Sequence, residues 1–594
     1  MTEIYDKPKE KYPDWQAEVC SRIGKEWDNG RQYVSSLNEL YEDLYLMLRG
    51  KRPTKNYDWQ SDISLRKAFQ VVWTAISYIT RKVWGQEPVI GVQGFDDKGC
   101  WQRERMLAVW MAKDKYFMVM VLGLLRLLLN GVVIVKKTWV QELVQVKSSQ
   151  GPKSFPIKDE PKDVVINNKD VVVDWMLKPG QQISEGRFVI HRSVEDLQSL
   201  KDAGIYTNLD DVEPQTLQST TENDDHARLR QEDEQESPPE TGFDECEIFE
   251  RQGLFPVKAK KSGKFEYVYD KDGEQMQMIA VMANKKNPVL IRFEPNGYGE
   301  IAYVSGQLFI DPERWQSQGM VEPAKDIYTA LDDNVNAMFD EIWKNLMPPV
   351  MMDKFAVQDW DSIKWAPNQV WLFRGNPGEG VMIPRGTEIT RDAYSKHQML
   401  DSEGQLITSI TPTSQGMDAS NTATQGALNA QFSTAKLDFI IEMMENSWLV
   451  PSVKMTVRFA QKFAHALTFL SILGEPFKFD QYLEEYKFMP AASSVKSEEQ
   501  TEIEIREDIQ LLQMISSIPN PNTPKILNYL LGNILRNRNK PQLAALFDEE
   551  YFEPQSEAGN MEMIKRSLGP GTASNERGIS MSPAERSMRQ RTYG

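Results

Sequence analysis

Between Gly319 and Pro349 the chain reads GMVEPAKDIYTALDDNVNAMFDEIWKNLMPP. Ile327, Leu331, Val335, Met338, Ile342 and Leu346 recur in steps of four or three, which places them on one stripe of a helix and builds that face for burial. Asp326, Asp333 and Asp340 recur at every seventh position, and Asp332, Asn336 and Glu341 widen them into an acidic, hydrogen-bonding flank. Gly319 and Pro323 mark the start of the helix, and Pro348-Pro349 stops it. Taken alone this is an amphipathic helix with one wet side.

At 594 residues the chain exceeds a single core, and its length corresponds to roughly three to five domain-sized pieces. A net charge of −17 argues against a protein whose outside wraps nucleic acid, because phosphate binding needs clustered Lys and Arg. The same charge is compatible with a channel through which DNA slides without sticking. Cys20, Cys100 and Cys246 stand far apart in no CxxC pair, so neither a disulfide framework nor a zinc site is indicated, and a reducing compartment fits. Met1 to Lys11 is polar and shows no signal peptide. Tyr116 to Val135, YFMVMVLGLLRLLLNGVVIV, imitates a membrane span, but Arg126 lies in its middle and Asn130-Gly131 divides it. It reads as a buried helix followed by a buried strand.

From Asp14 to about Arg49 a helical pattern, one helix or a pair, ends at Gly50. A long helix and a short strand at Val89 to Val92 follow, then helices over 101–115 and 117–129. Lys147 to Lys169 reads as a loop or long hairpin tip. VVVDWMLKPG restores a strand, and RFVIHRSVEDLQSLKDAGIY turns into a short helix with Ser193 as N-cap and Gly204 past its end. Asp210 to Thr241 is acidic and Pro-rich, a solvated linker. Short strand-like runs fill 242–311, as in a small antiparallel β domain. Thr387 to Ser420 is polar and reads as a functional or mobile loop. A helix is expected from Asn421 or Thr422, then further helices to about 549, and 555–594 is a basic tail.

Catalytic signatures are scarce. No Walker A motif occurs, and GYGEIA at Gly297 to Ala302 runs into β-like sequence, so it reads as a turn. His191, His226, His397 and His465 show no HExxH or HxH spacing. Asp332 and Asp333 point about a hundred degrees apart on a helix and would not share an ion. Lys258, Lys260, Lys261 and Lys264 crowd one turn of the β region, a solvated hairpin tip or a docking surface.

Several phrases resemble bacteriophage portal proteins, the head-to-tail connectors of tailed double-stranded DNA phages, here of the short-tailed kind. DIYTALDDNVNAMFDEIWKNLMPPVM is similar to the portal segment running from the clip into the second stem helix. DWQSDISLRKAFQVVWTAISYITRKVWGQEPVIGV is similar to the opening of the wing, LNGVVIVKKTWV to its glycine and strand, and NTATQGALNAQFSTAKLDFIIEMMENSWLVP to the segment returning to it. The resemblance implies an α+β, mainly helical portal fold assembled as a ring. Its parts would be an N-terminal helical segment 1–53, wing 54–189, stem helix 190–209, acidic insertion 210–241, β-rich clip 242–318, and second stem helix 319–349. The wing would resume over 350–496 with the polar loop 387–420, followed by a helical crown 497–554 and a flexible tail 555–594.

On that resemblance the protein would be no enzyme and would need no cofactor or metal. It would form a homo-oligomer, typically a 12-mer, at a capsid vertex of the virion after assembly in the host cytoplasm, as the channel for genome packaging and ejection. Partners would be the major capsid protein, the terminase large subunit, head-tail adaptor or tail proteins, and double-stranded DNA in the channel, with no membrane. Asp326, Asp333, Asp340 and Asn336 would face the channel or the subunit seam. Arg374, Arg385 and Arg391 would contact DNA, and Lys258, Lys260, Lys261 and Lys264 would dock partners at the clip. Two other classes remain open on sequence: a nucleotide- or metal-dependent enzyme with an inserted β domain, and a peripheral membrane protein using 116–135.

Overall fold

The computed structural model describes residues 15–51, 59–85, 89–94, 97–113, 116–148, 151–214, 244–258, 265–268, 275–348, 350–353, 355, 372, 374, 376–382, 391–410, 435–474, 486–490 and 531. The chain divides into two units, Met1–Ser494 and Val495–Gly594. The secondary-structure elements described belong to the first. The expected crown and tail, 497–594, lie outside the described residues apart from Leu531, as do His226, most of the acidic insertion and the helix start near Asn421.

The N-terminal pattern is a helix pair, α1 (Trp15–Tyr33) and α2 (Ser35–Arg49). Gly50 closes α2 in the left-handed conformation, with the Gly50 N–H bonded to the Met47 carbonyl. Helix α3 (Lys67–Trp84) leads to β1 (Ile90–Gln93), which pairs antiparallel with the last described strand of this unit, β14 (Lys487–Pro490). After α4 (Asp97–Lys113), the membrane-like run divides as expected into α5 (Tyr116–Asn130) and β2 (Val132–Ser148). The turn requires glycine: Gly131 has φ +77°, and a Cβ there would stand 2.1 Å from the Ser317 carbonyl oxygen. Arg126 bonds to Asn167 Oδ1 at 2.8 Å, and burial pushes its guanidinium pKa down. Among the described residues no helix is long and apolar enough to cross a membrane.

Strand β2 turns into β3 (Gly151–Ile166) as a long hairpin, and β11 (Tyr303–Gln307) joins its root to give the order β11-β2-β3. A second, antiparallel sheet has the order β10-β9-β6-β5-β4, from β4 (Val171–Val173), β5 (Phe188–Asp196), β6 (Glu245–Leu254), β9 (Gln277–Ala283) and β10 (Val289–Pro295). Strands β7 (Pro256–Lys258) and β8 (Phe265–Tyr267) form a separate two-stranded hairpin. Apolar residues cover both faces of the five-stranded sheet. Val19, Cys20, Ile23 and Trp27 of α1 pack on one side with Phe188, Ile190 and Phe249. Leu197 and Leu200 of the short helix α6 (Leu197–Ala203) cluster with Ile248 and Val281 on the other. Arg251, 1% exposed, ties α1 to the sheet through Glu26 at 2.7 Å. The two sheets meet where Lys136 contacts Glu250 at 2.9 Å and Gln252 Oε1 accepts the Ala302 N–H.

Two expectations change here. Residues 190–196, expected within a stem helix spanning 190–209, continue β5, because pairing with β6 from Phe188↔Gly253 to Asp196↔Glu245 outweighs local helix preference. The cap of α6 is Asp196, whose carboxylate accepts the Ser199 N–H at 3.0 Å, rather than Ser193. Nor do the strands of 242–311 make a separate clip. β6 pairs with β5, and β11 pairs with β2, so both are woven into sheets with residues 132–196.

The C-terminal part contains α7 (Lys325–Leu346), a small ladder of β12 (Met351–Met352) and β13 (Val381–Met382), and α8 (Arg391–Thr408). Helix α8 occupies much of 387–420, expected as a loop. A further helix is described from residue 435 and passes through a π turn at Glu445–Leu449 into α9 (Val450–Phe463). Helix α10 (Ala466–Leu473) follows, capped by His465 Nδ1. Trp448 fills the main helical core beside two glycines: a Cβ on Gly123 would meet its ring at 2.1 Å, and one on Gly306 its Cβ at 2.7 Å.

Candidate functional site

The polar flank of α7 holds an extended strap of the same chain. Asp340 Oδ1 accepts the Ser61 N–H at 2.6 Å, Asn336 Oδ1 accepts the Ile63 N–H at 2.8 Å, and Asp332 Oδ1 accepts the Leu65 N–H at 3.0 Å. Asn336 Nδ2 also donates to the Ile63 carbonyl at 2.8 Å. The spacings match: four helical residues advance about 6 Å, and two extended residues advance roughly 6.6 Å. Positions 332, 336 and 340 therefore meet every second amide of a strap running antiparallel to the helix. Lys344 lies over the Trp59 ring at 5.5 Å where the strap begins.

The opposite side of α7 carries α8. Asn334 Nδ2 donates to the Ala393 carbonyl at 3.2 Å near one end. Near the other, Tyr328 packs against Gly404, where an added Cβ would come within 3.0 Å of its ring. The helices are thus antiparallel, with 347–390 joining them at one end. Burial of Tyr328 raises its phenol pKa, and Thr408 hydrogen-bonds to it. Lys67 pairs with Asp401 at 2.6 Å and fastens α8 to the start of α3.

The two helices leave much apolar surface open. Leu331 of the expected stripe is buried and Ile327, Val335 and Met338 are half-buried, but Ile342 and Leu346 are exposed, Leu346 at 62%. Phe339, Trp343 and Met347 beside them are exposed too, as are Tyr394, Met399 and Leu406 on α8. A folded chain rarely leaves so many large apolar side chains clustered on two helices unless something covers them.

The expected site residues divide. Asp326 and Asp333 are exposed on α7. Asp340 is half-buried against the strap, and Asn336, only 6% exposed, is buried within its own chain, so it does not stand on an open face. Arg374 is exposed and Arg391 opens α8, whereas Arg385 lies outside the described residues. Lys258 ends β7; Lys260, Lys261 and Lys264 lie outside the described residues. The strap and α8 were missed by sequence reasoning. A usable signal existed in the 332/336/340 spacing, which suits an extended partner as well as it suits solvent.

No cluster of three His, Cys, Asp or Glu able to hold a metal occurs among the described residues. His191 sits beside Tyr303, Lys136 and Glu250 at the junction of the sheets, and burial with the neighbouring Lys136 charge lowers its pKa to about 4. The three cysteines are buried, with burial pushing the Cys20 thiol up to about 12 and the Cys246 thiol up to about 11.

The chain is α+β, with two interlocked antiparallel sheets, a helical core and a sparsely covered helix pair. The family model described as "Phage SU10 portal protein" matches residues 143–481, more than half of the chain, and the chain belongs to that family: it is a phage portal protein. No curated protein matches it.

Proposed function

We propose that this chain is the subunit of a portal ring, typically of twelve copies, at a capsid vertex of a short-tailed phage, forming the channel for genome packaging and ejection. The observation that carries this reading is the helix pair α7/α8, whose exposed Phe339, Ile342, Trp343, Leu346, Tyr394, Met399 and Leu406 need a neighbour. In a closed ring each copy supplies one contact face and receives another, so such surfaces are buried by head-to-tail packing.

The two stem helices are α7 and α8, and the clip is the segment 347–390 that joins them. This assignment replaces 190–209 and 242–318, because an antiparallel helix pair can project from the body with a tip at its closed end, whereas strands woven into two sheets cannot. The docking role assigned to the lysines around Lys258 passes to that tip, where Met351, Phe355, Leu372, Arg374 and Met382 are exposed. Its partners are the terminase large subunit during packaging and the head-tail adaptor afterwards, with the major capsid protein around the body. Asp326 and Asp333 on the open side of α7 repel phosphate and keep DNA mobile in the channel. Arg374, Arg385 and Arg391 are the candidate contacts that hold the packaged end. No step of this role needs a cofactor or an active site.

Imaging purified particles tests the reading. It expects rings with an axial opening wide enough for duplex DNA and α7/α8 in the inner wall. A monomer or dimer at every concentration, or a ring with the five-stranded sheet lining the hole, overturns it.

A further inference from the structure

The root of the β2–β3 hairpin is held on every side. Val132–Lys136 pairs with β11, and Lys137 Nζ bonds to both Asp163 oxygens and to Thr456 Oγ1 within 2.8 Å. Trp139 Nε1 donates to Asp159, Gln141 Nε2 to the Phe463 carbonyl, and the His465 N–H to Asp159. Among the described residues this anchoring reaches as far as Gln141 and Asp159. The strands continue to Ser148 and from Gly151, a reach of about 20–25 Å at roughly 3.3 Å per residue.

This outer arm should not stand alone. An isolated two-stranded ribbon is marginal in water, yet the arm exposes Leu143, Val144, Phe155 and Ile157, the last at 68%. Val144 opposes Phe155 on one face, and Leu143 opposes Pro156 on the other. The register slips between Glu142 and Leu143, leaving Ile157 without a cross-strand partner and bulged outward. Among the described residues no strand pairs with β3 on its far edge, or with β2 past Lys136. Open edges of this kind template strand addition.

We propose that this arm is an inter-subunit clasp: residues Glu142–Val144 and Phe155–Lys158 of one copy dock on the body of the next. The proposal rests on the ring reading above. Charge selects the occupant. Glu142 pairs with Lys158 at 3.6 Å, and the sequence between them, residues 143–157, holds Lys147 and Lys153 and no acidic residue, on a chain of net charge −17. A second copy, itself of net charge −17, is complementary in charge to this basic, apolar arm. DNA would satisfy the lysines but not the four apolar side chains.

Two measurements on the full chain test it. Ile157→Cys, labelled with a benzophenone maleimide, introduces an exposed thiol, the native cysteines being buried. Irradiation after assembly is expected to give covalent dimers whose cross-linked peptides map to the body of the neighbour. Adducts only within one chain, or to added duplex DNA, overturn the clasp. The double variant Leu143→Asp/Phe155→Asp is expected to raise the concentration for half-assembly at least tenfold, with the circular dichroism of the monomer unchanged. A variant that forms rings at the wild-type concentration overturns the clasp and leaves the ring reading standing. A wild type that never forms rings overturns both.

Discussion

Replacing Asn336 with Ala removes the one side chain of the strap clamp that both accepts and donates, to the Ile63 N–H and carbonyl at 2.8 Å each. Asn336 is 6% exposed and its bonds to the strap are part-buried, so water replaces the lost partner only in part. Each orphaned backbone group then costs about 1–3 kcal/mol. The neighbouring clasps from Asp332 and Asp340 remain and limit the combined loss to about 2–3 kcal/mol. Because a chain of this size does not unfold in two states, local hydrogen exchange is the suitable assay. The amides of Ser61, Ile63 and Leu65 are expected to exchange roughly 30- to 150-fold faster, at about 1.4 kcal/mol per tenfold, while amides in β9 and α9 keep their wild-type rates. Asn336→Asp should be at least as damaging, because it sets a carboxylate oxygen against the Ile63 carbonyl. Unchanged exchange over 61–65 in the alanine variant would show that the clamp does not hold the strap.

Other expectations follow from the core. Gly123→Ala pushes a methyl into the Trp448 ring, which a Cβ would meet at 2.1 Å, and should destabilise by about 1–3 kcal/mol, read as a lower melting temperature; an unchanged melt refutes the close packing. Lys137→Met leaves Asp163 buried without its cation and should cost about 3–5 kcal/mol, whereas Lys137→Met/Asp163→Leu should recover most of that stability, as compared by thermal melts. His191, with a folded pKa of about 4 against about 6.5 when unfolded, binds fewer protons folded than unfolded between those pH values. Its share of stability is therefore complete above pH 6.5 and falls away towards pH 4, by up to about 3 kcal/mol. His191→Gln should flatten the pH dependence of the melting temperature in that window, and an identical slope in wild type and variant refutes the assignment.

Local grammar made part of the fold legible in sequence. Asn130-Gly131 divides α5 from β2 where the chain demands a left-handed residue, and Gly50 ends α2 in the same way. The start and stop of α7 followed from Pro323 and Pro348, with the helix beginning at Lys325 after a single 3-10 turn. What stayed hidden depends on distant partners. RFVIHRSVED carries no strong strand alternation, and it becomes β5 because β6 and β4 flank it. Helix α8 looks polar because it packs on α7 through a narrow seam of Gly404 and Thr408, while residues such as Met399 and Leu406 face outward. The acidic flank of α7 was legible as a feature, but not what each member meets. Asp326 and Asp333 are exposed, whereas Asn336 and Asp340 bind the chain's own backbone. Composition cannot distinguish a side chain that meets solvent from one that meets an amide.

The most direct test is cryo-electron microscopy of the purified full chain together with its native mass. The expected result is a closed particle of about twelve times the 68.3 kDa chain mass, with Phe339, Trp343 and Leu346 buried against a neighbour and Asp326 and Asp333 facing an axial opening. Particles of one or two chains that leave those three apolar side chains in water, or a ring whose inner wall excludes α7 and α8, would contradict the account.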